Sequence, residues 1–417
     1  TRSAQRRPEK KSLFLVVFVV SVVRDNAMQT WKWLTAPGAP YTWRFIRNVL
    51  VKTAILFAAL NVALVLVDPL PTLGRVSAYN VLWRGRERLP YGENPAAAYN
   101  LSLYQIDAMF ASHALDGADP EGEFRVLLIG DSSVWGILLE PDDTLAGQIN
   151  RAGLRTASGE RVRAYNLGYP TMSLVKDLML LDVAMRYDPD LVVWLVTLES
   201  FDRAAQLDSS IVQNNAPRIR DLIARYNLDL DPDDPRLVDL STWDKTLFGR
   251  RRALADLLRL QLYGVPWAVT GIDQEYRDDY TPRAIDLPPD PTWHGMDDAT
   301  LTRADLAFDV LEAGIARVRE SAPVLLINEP MFISDGANSD IRYNFFYPQW
   351  LYDLYRGLLI EFHDAGGWPY LDLWDLLPDA ECYTDSAVHL TPECSARLAE
   401  RVGAAILDMA DTGEPAG

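Results

Sequence analysis

Cysteine and histidine are the scarcest chemistry-bearing residues of this chain. Two cysteines, Cys382 and Cys394, occur in 417 residues, too few for a disulfide-built scaffold or a four-thiolate zinc site. Four histidines, His113, His294, His363 and His389, are the whole supply for any mechanism that needs an imidazole. A basic surplus is also lacking: the formal net charge is −18, which argues against nucleic acid as a partner. No P-loop, dinucleotide fingerprint or HExxH motif is present, so neither a cofactor nor a metal is expected. What remains is an ordinary globular balance, 49% hydrophobic and 10% aromatic. It suffices for one large domain with insertions or two modest ones.

Long apolar runs are few as well, and one of them has the length of a membrane span. Val49–Val67 would reach about 28 Å as a helix, close to the ~30 Å hydrocarbon core. Lys52 lies near one end, where its side chain can snorkel to the headgroups. Trp31, Trp33, Tyr41 and Trp43 precede the run like an interfacial belt, and Asp68-Pro69 ends it. Lys32, Arg44, Arg47 and Lys52 favour a cytoplasmic N-terminal side, although Arg75, Arg84, Arg86 and Arg88 on the far side weaken that bias. The expectation is a single-pass protein of the cytoplasmic membrane whose C-terminal region faces outside, periplasmic or extracellular. A second run, Leu13–Val23, follows the basic stretch Arg2–Lys11 but is too short to span and lacks a small-residue cleavage site. With Met28 opening a more ordinary anchor, residues 1–27 read as an upstream extension.

The remainder divides by pattern. Residues 1–48 read as a cytoplasmic or unprocessed segment, 49–67 as the span, and 68–123 as a stem with one amphipathic helix near Leu101–Leu115. From Phe124 short apolar runs alternate with helical segments, the signature of α/β units around a parallel sheet. Buried strands are expected at Phe124–Ile129, Val162–Asn166, Leu191–Thr197, Pro323–Asn328 and Trp368–Leu371. Helices are expected at Thr144–Ala152, Leu174–Tyr187, Trp350–His363 and Pro392–Met409. The alternation stops over 207–320, read as a mostly helical insertion with Ala216–Tyr226, Arg251–Tyr263 and Thr300–Arg319 as helices. It separates domain parts 124–206 and 321–410 and either covers the binding site or packs as an appendage; 411–417 is a tail.

Chemistry concentrates in three places. Gly130-Asp131-Ser132 follows the first apolar strand directly. There a glycine allows a tight turn and the serine projects at the carboxyl edge of the sheet, where its own N–H can meet an oxyanion. Alone the tripeptide reads better as a helix cap. Asn166-Leu167-Gly168-Tyr169-Pro170 follows the second strand, and Gly168 could offer a second N–H. Thr384-Asp385-Ser386-Ala387-Val388-His389-Leu390 precedes the last helix. His389 could take the proton of Ser132 while Asp385 orients the imidazole.

In this order the three blocks resemble the SGNH/GDSL hydrolase superfamily, over roughly residues 124–206 and 322–410. The resemblance implies a flavodoxin-like three-layer α/β/α fold and metal-free cleavage or transfer of acyl esters. The N-terminal helix looks like the membrane-anchored branch of alginate O-acetyltransferase-like and teichoic-acid D-alanyl transfer proteins. Two departures stand out. Where the family often has G-x-N-D after the third strand, this chain has Thr197-Leu198-Glu199-Ser200; Asn328 in Ile327-Asn328-Glu329-Pro330 is a candidate third oxyanion donor, or else a turn cap. The usual D-x-x-H is lengthened by one residue between Asp385 and His389, with Asp372 and Asp375 as weaker substitutes.

Cys382 and Cys394 bracket this last block. In an oxidising compartment a bond between them would restrict it, and two buried thiols are the alternative. Within Met331–Trp350, the residues Asn338, Arg342, Tyr343, Asn344 and Tyr347 could hold a sugar, or simply pack the loop. The leading expectation is a serine esterase acting on envelope or polysaccharide esters. Its rivals are an O-acyltransferase using the same residues, and a non-catalytic scaffold.

Overall fold

The apolar run near the N-terminus belongs to a longer helix, α1 (Trp43–Val67), of 25 residues, none of them buried. An 18-residue stretch of it has mean hydropathy 2.3, so by length and composition it can cross a bilayer. The computed structural model describes residues 42–82, 85–91, 105–118, 122–270 and 280–412. The run Leu13–Val23, the aromatics Trp31, Trp33 and Tyr41, and the start of the expected helix at Leu101 lie outside them. The chain divides into two units, 1–66 and 67–417, and the second carries the α/β fold.

This second unit opens with three short helices, α2 (Leu70–Arg75), α3 (Ala78–Leu82) and α4 (Ile106–Ser112). There follow β1 (Glu123–Ile129), α5 (Ser132–Trp135), α6 (Leu145–Ala152), β2 (Arg161–Asn166), α7 (Leu174–Ala184) and β3 (Leu191–Val196). Three longer helices, α8 (Ala216–Tyr226), α9 (Arg251–Thr270) and α10 (Phe308–Arg319), precede β4 (Val324–Asn328). The chain finishes with α11 (Gln349–Gly366), β5 (Tyr370–Asp372) and α12 (Pro392–Thr412). All strand pairs are parallel, in the order β2-β1-β3-β4-β5. The order reverses between β1 and β3, and the crevice beyond their carboxyl ends is where such sheets bind ligands.

The apolar runs are continuous because both sheet faces are covered. Successive side chains alternate between two cores. Leu127 and Ile129 of β1 join Val192, Trp194 and Val196 of β3 on one face, under α7, α10 and α11. Val126 and Leu128 join Leu191, Val193 and Leu195 on the other, under α6 and α12. The fold is thus the expected three-layer α/β arrangement.

Two expected boundaries change. The described residues of 68–123 do not stand apart as a stem: Leu89, Ile106, Met109, Phe110 and Leu115 are buried in the first core. Nor is all of 207–320 an insertion, because α10 packs on α7 and buries Val310, Leu311 and Ile315. It is the crossover helix that a parallel β3-to-β4 connection requires. It starts at Phe308 rather than Thr300 because Thr302 and Asp305 form a capping box around a separate turn.

Candidate active site

The turn after β1 can be made only with glycine. Gly130 has φ +156°, and a Cβ there would lie 2.6 Å from Val134 Cγ2 and 2.9 Å from Leu195 O. Asp131 caps α5, accepting from Ser133 N at 2.9 Å. The cap and the candidate nucleophile are therefore neighbouring residues rather than rival readings of one. Ser132, first residue of α5, is 8% exposed, and its N–H has no hydrogen-bond partner among the described residues.

His389 Nε2 lies 2.8 Å from Ser132 Oγ, and His389 Nδ1 lies 2.7 Å from Asp385 Oδ1. The serine hydroxyl can donate to Nε2 while Nδ1–H donates to the carboxylate, the tautomer a general base needs. Burial pushes the Asp385 carboxyl up, but the hydrogen bond and charge of His389 outweigh it and hold it below the ordinary carboxylate range. The additional residue between Asp385 and His389 fits into a closed loop. Tyr383 and Leu390 form an antiparallel bridge, and Thr384 N donates to His389 O at 2.9 Å. At its base Cys382 and Cys394 form a disulfide. Asp372 is occupied elsewhere, accepting from Arg356 at 2.7 Å and Asn328 at 2.9 Å, and Asp375 is exposed.

Gly168 packs directly on α5, where a Cβ would meet Trp135 N at 2.3 Å and Val134 C at 2.8 Å. Its N–H donates to Asn166 Oδ1 at 3.0 Å, and Asn166 Nδ2 donates to Val134 O at 2.7 Å. As placed, the Gly168 N–H is engaged within its own loop, which leaves the Ser132 N–H as the unengaged donor. Gly168→Ala is expected to destabilise the fold by about 3 kcal/mol through overpacking against backbone, read as a lower urea midpoint. It should also lower kcat more than it raises KM, because the displaced helix carries Ser132.

Beneath these turns lies a buried ionic group that the sequence pattern did not reveal. Lys176 is fully buried in α7. Its Nζ lies 2.7 Å from Gly130 O, 3.2 Å from Tyr169 O and 2.5 Å from Asp177 Oδ1. One ammonium thus ties the serine turn to the glycine turn. Burial drives the Asp177 carboxyl up to about 6 against the opposing charge of Lys176. Glu329, also buried, accepts a hydrogen bond from Ser133 Oγ, and burial with the nearby Asp131 charge drives its carboxyl well above the usual range. The signal in the sequence was a glutamate placed directly after an apolar strand.

Several expected site residues serve the scaffold instead. Asn328, the candidate oxyanion donor, is fully buried. Its amide donates to Asp372 and its carbonyl oxygen accepts from Tyr352 OH at 3.2 Å. The expected sugar-binding residues fold their own loop. Asn338 donates to Leu287 O at 2.6 Å, and Arg342 donates to Asn344 O at 2.7 Å and Phe345 O at 2.6 Å. Asn344 accepts from Phe346 N at 2.9 Å and Tyr347 N at 3.1 Å. The Tyr347 hydroxyl lies 2.9 Å from Thr197 Oγ1 and accepts from Glu199 N at 3.1 Å, and Tyr343 OH donates to Asp353. A long irregular loop must satisfy its own polar groups, and these side chains do so.

Glu199, in the segment after β3, accepts from Trp293 Nε1 at 3.1 Å and pairs with His294 Nε2 at 2.8 Å. That bond holds the exposed imidazole of His294 above its ordinary range. Trp293 and His294 end a strap, residues 280–296, along the carboxyl rim of the sheet. At its other end Arg283 N donates to Thr384 O at 3.1 Å; between them Ser334 Oγ donates to Ile285 O and Trp350 Nε1 to Pro291 O. Part of the inserted region therefore runs from the His389 loop to the end of β3. His113 packs behind the glycine turn: fully buried, it sits 3.0 Å from Asn166 O through Nε2 and accepts from Leu115 N through Nδ1. Burial lowers its pKa to about 4, so it stays neutral.

No family model matches the chain, and no curated relative does. Among solved structures, the chain is similar to a protein assigned to the G-D-S-L lipolytic family from Desulfitobacterium hafniense. The identity is 9%, covering 67% of this chain and 98% of that one, with a TM-score of 0.33. It is also similar to a carbohydrate acetylesterase family member from Sinorhizobium meliloti, at 12% identity over 69% and 98% of the two chains, with a TM-score of 0.30. At such identities and scores, any chemistry has to come from the geometry of the site.

Proposed function

We propose that this chain is a membrane-anchored serine esterase of the SGNH type, acting outside the cytoplasm on envelope or polysaccharide esters. One observation carries the reading: the continuous relay from Ser132 Oγ through His389 to Asp385, with links of 2.8 and 2.7 Å. Ser132 attacks the ester carbonyl, and His389 takes its proton and returns it to the leaving alkoxide. Asp385 stabilises the imidazolium, and the Ser132 N–H at the start of α5 stabilises the oxyanion. Water then releases the acid from the acyl-serine. A missing preorganised donor costs about 3 kcal/mol of transition-state stabilisation, so a slow enzyme is expected. The anchor is α1, whose apolar length supports insertion; the basic residues before it favour a cytoplasmic N-terminus.

The test is incubation of the purified protein with an acyl ester, with and without an added carbohydrate. Free acid at the same rate in both supports hydrolysis. Acyl-carbohydrate formed at the expense of free acid would make the same acyl-serine serve an O-acyltransferase. No turnover and no labelling by a fluorophosphonate would sink both and leave a non-catalytic scaffold.

A further inference from the structure

Helix α9 turns apolar side chains outward. Its inner face packs on α3, where Gln261 Oε1 accepts from Ala78 N at 2.7 Å and Leu260 is buried. Beside that face Leu258, Leu262 and Val269 are 63, 69 and 68% exposed, and their spacing aligns them in one stripe. Arg252 and Arg259 border that stripe along its outer edge, Arg259 also bonding Asp256 at 3.1 Å, and Asp256 is the helix's one acidic residue. Nearby elements repeat the pattern: Leu73 of α2, Val81 and Leu82 of α3, and Trp243 and Phe248 before α9 are exposed. An apolar stripe with a basic edge is unusual on a chain of net charge −18.

The position of α9 along the chain's path identifies what meets this stripe. Arg250, immediately before α9, bridges Asp68 at 3.0 Å, and Asp68 is the first residue after α1. The start of α9 is thereby tied to the point where the chain leaves its most apolar helix. We propose that α9, with α2 and α3, lies along the headgroup layer of an anionic bilayer. Leu258, Leu262 and Val269 enter the acyl boundary, and Arg252 and Arg259 meet lipid phosphates. The inference rests on reading α1 as a membrane span, and it adds that the catalytic unit is seated flat on the bilayer rather than tethered above it.

Because both native cysteines form the disulfide, one introduced cysteine accepts a nitroxide label uniquely. The full-length chain, carrying Leu258→Cys, Leu262→Cys or Val269→Cys, is placed in nanodiscs containing phosphatidylglycerol. Glu361→Cys on α11 serves as the water-facing control. Fluorophosphonate labelling of each variant verifies an intact site. The expected result is broadening by oxygen and shielding from a water-soluble nickel complex at all three positions, with the reverse at 361. Nickel access at the three positions, in a chain that alkaline carbonate cannot extract, overturns the surface contact while the span stands. Labels immobilised and shielded from both reagents also overturn it, since protein then covers the stripe. Extraction by carbonate overturns the span reading and this inference with it.

Discussion

Ser132→Ala is expected to lower kcat/KM for a short-chain aryl ester by about 10⁴-fold or more, about 5.5 kcal/mol of transition-state stabilisation. Fluorophosphonate labelling should disappear with it. The expectation follows from the Ser132–His389 contact of 2.8 Å, which leaves the serine as the only hydroxyl in reach of that imidazole's Nε2 among the described residues. His389→Ala should cost as much as Ser132→Ala, and the double variant no more than either, because residues acting as one unit do not add. Asp385→Asn removes the acceptor of Nδ1–H and should cost about 10²- to 10⁴-fold. Its stability signature differs. A carboxyl held below its ordinary range contributes stability above about pH 4 that is lost as pH falls through the lowered value. The asparagine variant should therefore lose less stability than wild type on acidification, measured by urea unfolding across pH. Equal activity in wild type and Ser132→Ala would falsify the nucleophile assignment.

Lys176→Met is expected to be the most damaging substitution away from the reacting atoms. It leaves Asp177 and two turn carbonyls, of Gly130 and Tyr169, without their buried cation, a loss on the order of 3–5 kcal/mol. The sign of its pH dependence is specific. Asp177 already sits near 6 through burial, and Lys176 is what lowers it, so the variant carboxyl moves higher still. The folded variant then holds a proton that the unfolded chain gives up from about pH 4 upward. Its stability should fall as pH rises from 4 toward 8, more steeply than in wild type. Urea unfolding at the two ends of that range measures it. Adding Asp177→Leu to Lys176→Met should recover part of the loss at pH 8, since an uncompensated charge is then gone. Activity should stay low, because Gly130 and Tyr169 are no longer held together.

Those two predictions draw on different levels of legibility. That Ser132, His389 and Asp385 meet could be read from the chain, because a glycine-led turn after an apolar strand and an acid–imidazole pair before a last helix are local patterns. The strands could be named because burial on both faces makes them short continuous apolar runs. Lys176 could not, since a lysine inside an apolar helix looks like a surface residue until its carbonyl partners arrive from two other segments. Asn328 and Tyr347 misled for the complementary reason. A polar residue after a strand end looks available to a ligand, whereas here Asp372, Tyr352 and Thr197, distant in sequence, occupy it. The strap over 280–296 was hidden by its Pro- and Asp-rich composition, which carries no periodicity to read.

Ser132 and His389 lie 257 residues apart in the chain, and this separation has a consequence for biosynthesis. At about 5–20 residues per second, Ser132 is joined to the chain roughly 13–50 s before His389. On the proposed mechanism, a nascent or C-terminally truncated chain carries Ser132 but not the imidazole that would activate it. By the same mechanism, ester cleavage can begin only once His389 and the helix that follows it have been made and have docked, so the growing polypeptide is silent toward esters until then.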